Sequence, residues 1–411
     1  MVKGNNERGT KSIPEWATLE EFIRSHVQGL IQSVIEEEVE EFLGRGKYER
    51  DSGEGARKGY RNGYSPSRKL SCMTGTIEIR RPKLRGLEEK FESVILPRFT
   101  RRTKAVEKML PELYLHGLSL GDFELALRGL LGDGAPLSAS SVDRLRRKWQ
   151  AEYGAWRMRR LDGFKLVYMW ADGIYVKAGL EKEKACLLVV IGADVNGVKQ
   201  VLAVENGYRE STESWSEVLR DLNARGLGFP ALTVADGNLG IWAALRQVYP
   251  ESQEQRCWNH KVRNVLDSLP KKVRAGAKSL LLEMFLASSK KACEGARKQF
   301  AKQFGKDYPR AADRLNRDWD RMLTFFNFPQ EHWRHIRTTN IVESPFDAVR
   351  LRTRAAKRYK RACNATAVIW KILILQQKKF RRLRGFKKLH KIYSAAHPEN
   401  NEVDIDDQIA A

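Results

Sequence analysis

The stretch Phe164 to Lys177 (FKLVYMWADGIYVK) restricts this chain more than any other. Leu166, Val167, Tyr168, Met169 and Trp170 run together, and Ile174, Tyr175 and Val176 resume after Gly173, as in a buried strand. One carboxylate, Asp172, interrupts it. An ionised group in an apolar strand is costly unless something pairs with it, and a bound cation is one such partner. The other reading is an Asp at a bulge or turn beside Gly173.

Charge narrows the partner. Lys and Arg total 74 against 51 Asp and Glu, a net +23 at pH 7 over 411 residues. Such an excess fits a polyanion, because basic groups release the counterions of a phosphate backbone. No run of about 18 apolar residues is present. The start, MVKGNNERGTKS, has no apolar signal core. Five scattered cysteines, an odd number, suit a reducing cytoplasm rather than a disulfide scaffold. A cytoplasmic nucleic-acid binder is expected.

Helical spacing runs from Glu15 to Leu43, acidic in its second half, with Gly44 as a stop. This helix is expected to pack on its own protein or on a second subunit. Residues 45–69 then turn rich in Gly, Arg, Lys and Tyr; Arg57, Lys58 and Arg61 are candidate phosphate contacts, or part of a solvated loop. Residues 70–82 alternate (Leu70, Met73, Ile77, Ile79) like a short strand or a hairpin before Pro82. Helices follow over Thr103–His116, from Ser119 through Leu130, and after the GDGAP turn from Ser138. The last pair fits a helix-turn-helix whose basic second helix offers Arg144, Arg146, Arg147 and Lys148 to DNA.

Residues 160–270 alternate strands and helices. The Asn196-Gly197 pair marks a hairpin, so the first three strands should be antiparallel and Asp194 a turn residue. A capped helix (Ser211 to Arg225), a strand ending at Asp236, a helix (Leu239 to Val248) and a fifth short strand complete the order of an RNase H-like α+β domain. With strand four beside strand one, Asp172 and Asp236 meet on one cation; alternatively Asp236 caps the next helix.

Residues 271–330 have helical period and no strand signal, as in an insertion. Beyond them Asn340 is a candidate cap for a helix carrying Glu343 in its first turn, with Pro345 tolerated there and Asp347 on the same face as a rival ligand. From Arg350 to Lys391 there are 16 Lys or Arg and no acid, among them Arg350, Arg352 and Arg354, which favours a phosphate backbone. Cys257 and His260 supply only two of the four ligands of a structural zinc site. They read as a local structural or DNA-positioning element. His332 and His335 read as surface or DNA-facing, and Trp319 as core or as a platform for an unpaired base.

Asp172, Asp236 and Glu343, with WADGIYVK, VADGN, QRCWNHKVRN, RTTNIVESPFDAVRLRTR, GYRNGY and LYLHGLSLGDFELALRGLLG, resemble the bacterial insertion-sequence transposases of the Mutator superfamily over roughly residues 40 to 385. The resemblance implies a DDE transposase with an RNase H-like core, a mixed five-stranded sheet interrupted by an α-helical insertion and preceded by a mainly helical DNA-binding region. On that match Asp172, Asp236 and Glu343 are the catalytic and metal-binding triad, Cys257 and His260 match a Cys/Asp-x-x-His pair, and Arg350 matches a basic position.

The expected division is 1–50 tail and acidic helix for dimerisation, 51–158 DNA binding, 159–270 first part of the core, 271–330 insertion, 331–390 last part of the core and 391–411 tail. Hydrolysis at the element end followed by 3′-OH attack on target DNA calls for two Mg²⁺ or Mn²⁺ ions on hard oxygen ligands. The expected partners are double-stranded DNA, both terminal inverted repeats and target, and a homodimer or larger assembly at the bacterial nucleoid. An inactive DNA-binding descendant and a nuclease on the same fold are the alternatives.

Overall fold

The computed structural model describes residues 15–49, 59–132, 139–178, 184–237, 239–356, 358–359 and 361–398. The chain forms two compact units, Met1–Leu145 and Arg146–Ala411.

In the first unit the expected amphipathic helix is α1 (Leu19–Leu43), ended by Gly44 in the left-handed region at φ 68°. Its acidic half is engaged within the unit. Glu36 and Glu40 pair with Arg61 on β1 (Tyr60–Tyr64), and Glu38 accepts the Val94 amide at 2.5 Å. The expected hairpin is β2 (Arg68–Cys72) against β3 (Gly75–Ile79), and β4 (Pro82–Arg85) pairs antiparallel with β1. Ile35 of α1 packs with Leu70, Ile77, Ile79 and Leu96 in one small core. Helices α2 (Lys104–Leu115) and α3 (Leu120–Leu131) follow; Ser119 caps α3 by accepting the Asp122 amide. The GDGAP turn lies outside the described residues.

Helix α4 (Ala139–Arg157) contains the boundary, and the second unit is built on a five-stranded sheet. Strands β5 (Leu166–Lys177), β6 (Lys184–Asp194) and β7 (Lys199–Gly207) run antiparallel in sequence order. The β6–β7 turn is set as expected. Asp194 Oδ1 accepts the amides of Asn196 (2.9 Å) and Val198 (2.8 Å), and Gly197 takes φ 73°, which few side chains tolerate. Helix α5 (Thr212–Ala224) returns the chain to β8 (Leu232–Ala235), and α6 (Leu239–Val248) to β9 (Gln253–Arg256). β8 lies parallel beside β5 and β9 beside β8, giving the order β7-β6-β5-β8-β9.

One face of the sheet buries Met169, Leu188, Val190 and Leu202 against Trp215 and Leu219 of α5 and Trp242 and Leu245 of α6. Full burial of such side chains contributes roughly 1.5–3 kcal/mol each. After β9 every described element is helical: α7 (Trp258–Asp267), α8 (Arg274–Leu286), α9 (Lys290–Phe304), α10 (Pro309–Asn316), α11 (Trp319–Leu323), α12 (Gln330–Ile336), α13 (Asn340–Glu343), α14 (Phe346–Ala356), α15 (Ala362–Gln377) and α16 (Leu389–Ala396). Within the basic region the sequence also has an apolar run, Val368 to Leu375, and it lies in α15, which Gln377 ties to β7 by accepting the Val201 amide at 2.7 Å. No helix among the described residues is long and apolar enough to cross a membrane.

Gly192, in β6, sits where a Cβ would lie 2.5 Å from Leu202 Cδ1 and 2.7 Å from Leu166 Cδ1. Gly192→Ala is therefore expected to cost about 1–3 kcal/mol, as overpacking does. Nine of the ten tryptophans belong to the second unit, so urea unfolding followed by tryptophan fluorescence reads it. An unchanged midpoint would mean that this sheet face is not close-packed.

Candidate active site

The register of the parallel strands creates the site. Ala171 of β5 pairs with Ala235 of β8, and Ala235 with Arg256 of β9. The next residue on each strand is Asp172, Asp236 and Cys257, so three chemically able side chains stand at adjacent strand positions on one level. β5 continues to Lys177 along β6, whereas β8 and β9 stop. A crevice at the carboxyl ends of parallel strands is the usual ligand position in open sheets. The chain leaves β8 through Gly237 at φ 97°, where Arg256 Nε would lie 2.2 Å from a Cβ; that guanidinium donates to the Asp236 carbonyl at 3.3 Å.

Asp172 is 8% exposed. Burial first, then the charges of Asp236, Glu343 and Glu210, push its carboxyl up to about 8, against the Gly173 amide that donates to Oδ1 at 2.9 Å. The four carboxylates thus share one field, which a cation would relieve. Glu210 was not anticipated. It lies in the loop between β7 and α5 with no apolar flank to mark it.

Glu343, not Asp347, turns to this centre. The expected single helix is broken by Pro345, which has no amide to donate, into the four-residue α13 and α14 from Phe346. The two acids therefore share no helix face. Asp347 is 83% exposed and pairs with Arg350 at 2.9 Å, whereas the Glu343 side chain is 24% exposed. Thr339, rather than Asn340, occupies the cap position, and its hydroxyl donates to Glu343 Oε1. Asn340 instead accepts from Asn259 at 2.8 Å.

Cys257 and His260 close around the same carboxylate. His260 Nδ1 lies 3.6 Å from Glu343 Oε1, and the buried Cys257 Sγ accepts the Thr339 amide at 3.3 Å with Thr339 Oγ1 at 3.2 Å. Thr339 and His260 both approach Glu343 at Oε1, and among the described residues no side chain bonds Oε2. Cys257, His260 and Glu343 are the one described set of three ligand types whose donor atoms all come within 4.8 Å of each other; Asp172, Asp236 and Glu343 do not close to that spacing. Burial pushes the Cys257 thiol up to about 11, so with no metal bound it is a neutral thiol that accepts from Thr339. The pair therefore reads as a clamp on Glu343.

The family is decided by comparison. Residues 3–382 match the profile of the transposases of the Mutator family. The chain belongs to that family. It is 44% identical over 268 residues (65% of this chain, 83% of the relative) to the transposase for insertion sequence element IS6120 of Mycolicibacterium smegmatis. It is also 38% identical over 293 residues (70% and 99%) to that of element IST2 of Acidithiobacillus ferrooxidans. A third relative, the transposase for ISRM5 of Rhizobium meliloti, is 32% identical over 337 residues (80% and 81%).

The basic residues of this Mutator-family chain divide by location. Arg144, Arg147, Lys148 and Arg354 are exposed, Arg146 is half-buried, and Arg57 and Lys58 lie outside the described residues. Arg350 is half-exposed and paired with Asp347. Two expectations are corrected. Arg352 is 2% exposed, because α14 turns it inward, and Arg61 is held by Glu36 and Glu40 rather than presented outward. His332 is not on the surface either: it accepts from the Tyr168 hydroxyl (2.8 Å) and donates to the Gly385 carbonyl (3.0 Å). His335 is half-buried; its Nε2 accepts the Arg384 amide at 3.4 Å. Trp319 packs in the core, 5.9 Å from Trp258, and donates to Glu294 at 2.6 Å. Sequence reading missed an open cavity of about 680 Å³ whose wall includes Trp333, Arg334, Arg337, Arg384 and Lys388.

The raised carboxyl of Asp172 makes stability depend on pH. Folding favours its protonated form, so this contribution is intact below the unfolded value near 3.8 and is lost as pH rises through about 8. In EDTA, Asp172→Asn is expected to raise the melting temperature at pH 8 by on the order of several degrees, a gain that shrinks toward pH 5. A variant that melts lower than the parent at pH 8 would show that the carboxylate is not destabilised by its neighbours.

Proposed function

We propose that this chain is the transposase of an insertion sequence, binding the terminal inverted repeats of its element and performing DNA strand cleavage and 3′-OH strand transfer. The observation that carries this reading is the placement of Asp172 and Asp236 at adjacent parallel strand ends, with Glu343 near enough to act on the Asp172 carboxyl. The strand order and directions support an RNase H-like core, with the helices between β9 and α12 as its insertion.

The donor set fits divalent magnesium or manganese. It offers hard carboxylate oxygens, and a cation would offset both the burial of Asp172 and the neighbouring negative charges that push its carboxyl up. Asp172, Asp236 and Glu343 would hold it, two ions per centre. Bound Mg²⁺ or Mn²⁺ supplies Lewis-acid stabilisation of charge on the phosphoryl oxygens. The chain's own part is positional. Thr339 and His260 fix Glu343 Oε1, and the Gly173 amide fixes Asp172 Oδ1. In the first step water attacks phosphorus at the element end, and the bond to the 3′ oxygen breaks to leave a 3′-OH. In the second, that 3′-OH attacks a target phosphodiester and displaces its 3′ oxygen. Neither step needs a Ser or Tyr nucleophile.

Residues 51–158 would carry end recognition, with Arg144, Arg146, Arg147 and Lys148 on α4 facing DNA. Two ends must be held together, so a homodimer or larger assembly on DNA is expected, with α1 as a candidate interface. The location that fits is the bacterial cytoplasm, at the nucleoid.

Strand transfer between the element's own ends and a plasmid, with Mg²⁺ or Mn²⁺, tests the reading. Joined products are expected to disappear with EDTA, with Asp172→Asn and with Glu343→Gln, and to persist in Asp347→Asn. End binding without joining in any metal would point to an inactive DNA-binding descendant; cleavage of structured nucleic acid without joining, to a nuclease. Replacing Arg146 and Arg147 together with Gln is expected to weaken end binding and lower its salt slope by about 1–2, as loss of one or two phosphate contacts requires. An unchanged slope would remove α4 from the DNA interface.

A further inference from the structure

Glu210 is 9% exposed, yet neither the family resemblance nor the sequence pattern gives it a role. Two backbones approach it at positions that lack a side chain. On β5, a Cβ at Gly173 would lie 2.5 Å from Glu210 Oε1 and 2.8 Å from its carboxyl carbon. At the start of α6, a Cβ at Gly240 would lie 2.4 Å from the Glu210 carbonyl oxygen. The residue before it, Arg209, takes φ 59°, a left-handed conformation that costs a non-glycine residue of order 1–3 kcal/mol. The Tyr175 hydroxyl, on the strand that carries Asp172, is within hydrogen-bonding reach of the Glu210 carboxylate and of Cys186 on β6. The chain thus concedes space on two elements and accepts strain on a third to seat one buried anion next to Asp172. Held this close to Asp172, the Glu210 carboxylate adds negative charge at the strand end, which a bound divalent cation would offset.

We infer that Glu210 is a fourth carboxylate of the divalent-cation site, acting beside Asp172 on the same ion. The inference rests on the cation reading of the Asp172–Asp236–Glu343 centre. It adds an acid from the β7–α5 loop, on the side of Asp172 where Gly173 opens the strand.

The test is Mn²⁺ binding to the full chain without DNA, followed by electron paramagnetic resonance, so that the readout does not depend on catalysis. Parent, Asp172→Asn, Glu210→Gln and Gly173→Ala proteins are compared, with thermal melts in EDTA to confirm folding. Glu210→Gln is isosteric and able to accept from Tyr175. It is expected to fold normally and bind Mn²⁺ about 10- to 100-fold more weakly, the range for residues supporting a metal centre. Gly173→Ala, which places a methyl group against the Glu210 carboxylate, is expected to weaken binding in the same direction. Parent-like Mn²⁺ affinity in a folded Glu210→Gln protein, alongside loss in Asp172→Asn, would overturn this inference and leave the triad standing. No Mn²⁺ binding dependent on Asp172 in the parent would overturn both.

Discussion

The parallel pairing of β5, β8 and β9 is the constraint on which the rest of the second unit depends. Antiparallel partners on one side let β5 run on past Asp172, while its parallel partner stops one residue short of Asp236. The sheet is therefore continuous on the β6 side and open on the β8 side, and polar side chains at that edge sit beside a solvent-reachable crevice. A one-residue slip would exchange the faces of β5 and send Asp172 into the apolar layer under α5 and α6. The cores on both faces hold that register: Met169 and Ala171 pack under Trp215 and Trp242, and Tyr168 and Trp170 are anchored to His332 and the His335 carbonyl. Apolar packing here fixes the position of a carboxylate that apolar packing alone would reject.

The third acid comes from much farther along the chain, and the helices between β9 and α12 are bound to the strand end from which they depart. Arg256, the last residue of β9, pairs with Asp318 at 2.5 Å, and Arg321 joins Asp318 to Glu254 on the same strand. Lys261 is 1% exposed and donates to the carbonyls of Arg314 and Arg317. The Trp258 amide then donates to the Arg337 carbonyl at 3.0 Å, returning the chain to the residues just before Thr339. Short polar links from β9 thus reach the residues that lead into α13 and Glu343.

Sequence reading succeeded where a local signal and the tertiary outcome coincide. The Asn-Gly turn fixed the antiparallel triplet, Ser211 capped α5 by accepting the Ser214 amide as its position implied, and the apolar run around Asp172 forms the continuous strand it resembled rather than a turn at Gly173. It failed where charge had to stand in for direction. Arg352 belongs to a basic run, yet the turn of α14 buries it, while Arg354 two residues on is exposed. Arg61 looked available because Glu36 and Glu40 are 25 and 21 residues away in sequence. Asp347 rivalled Glu343 only for a helix that ran through Pro345. Glu210 had no signal at all, since the two glycines that admit it lie on other elements.

Cys257 and His260 show why a cluster of ligand types is not by itself a metal centre. Their donor atoms approach Glu343 more closely than Asp172 or Asp236 allow as a set, which on distance alone favours a soft cation. The hydrogen bonds give the pair a second role. The Cys257 thiol, pushed up by burial, accepts from the Thr339 amide and so holds the residue that caps the short helix carrying Glu343. The Thr339 hydroxyl, between Cys257 and Glu343, has one proton to give and gives it to the carboxylate, where a charge-assisted bond is strongest. The arrangement orients one oxygen of Glu343 by hydrogen bonding, and under the cation reading proposed above the other oxygen is the one a hard cation would use.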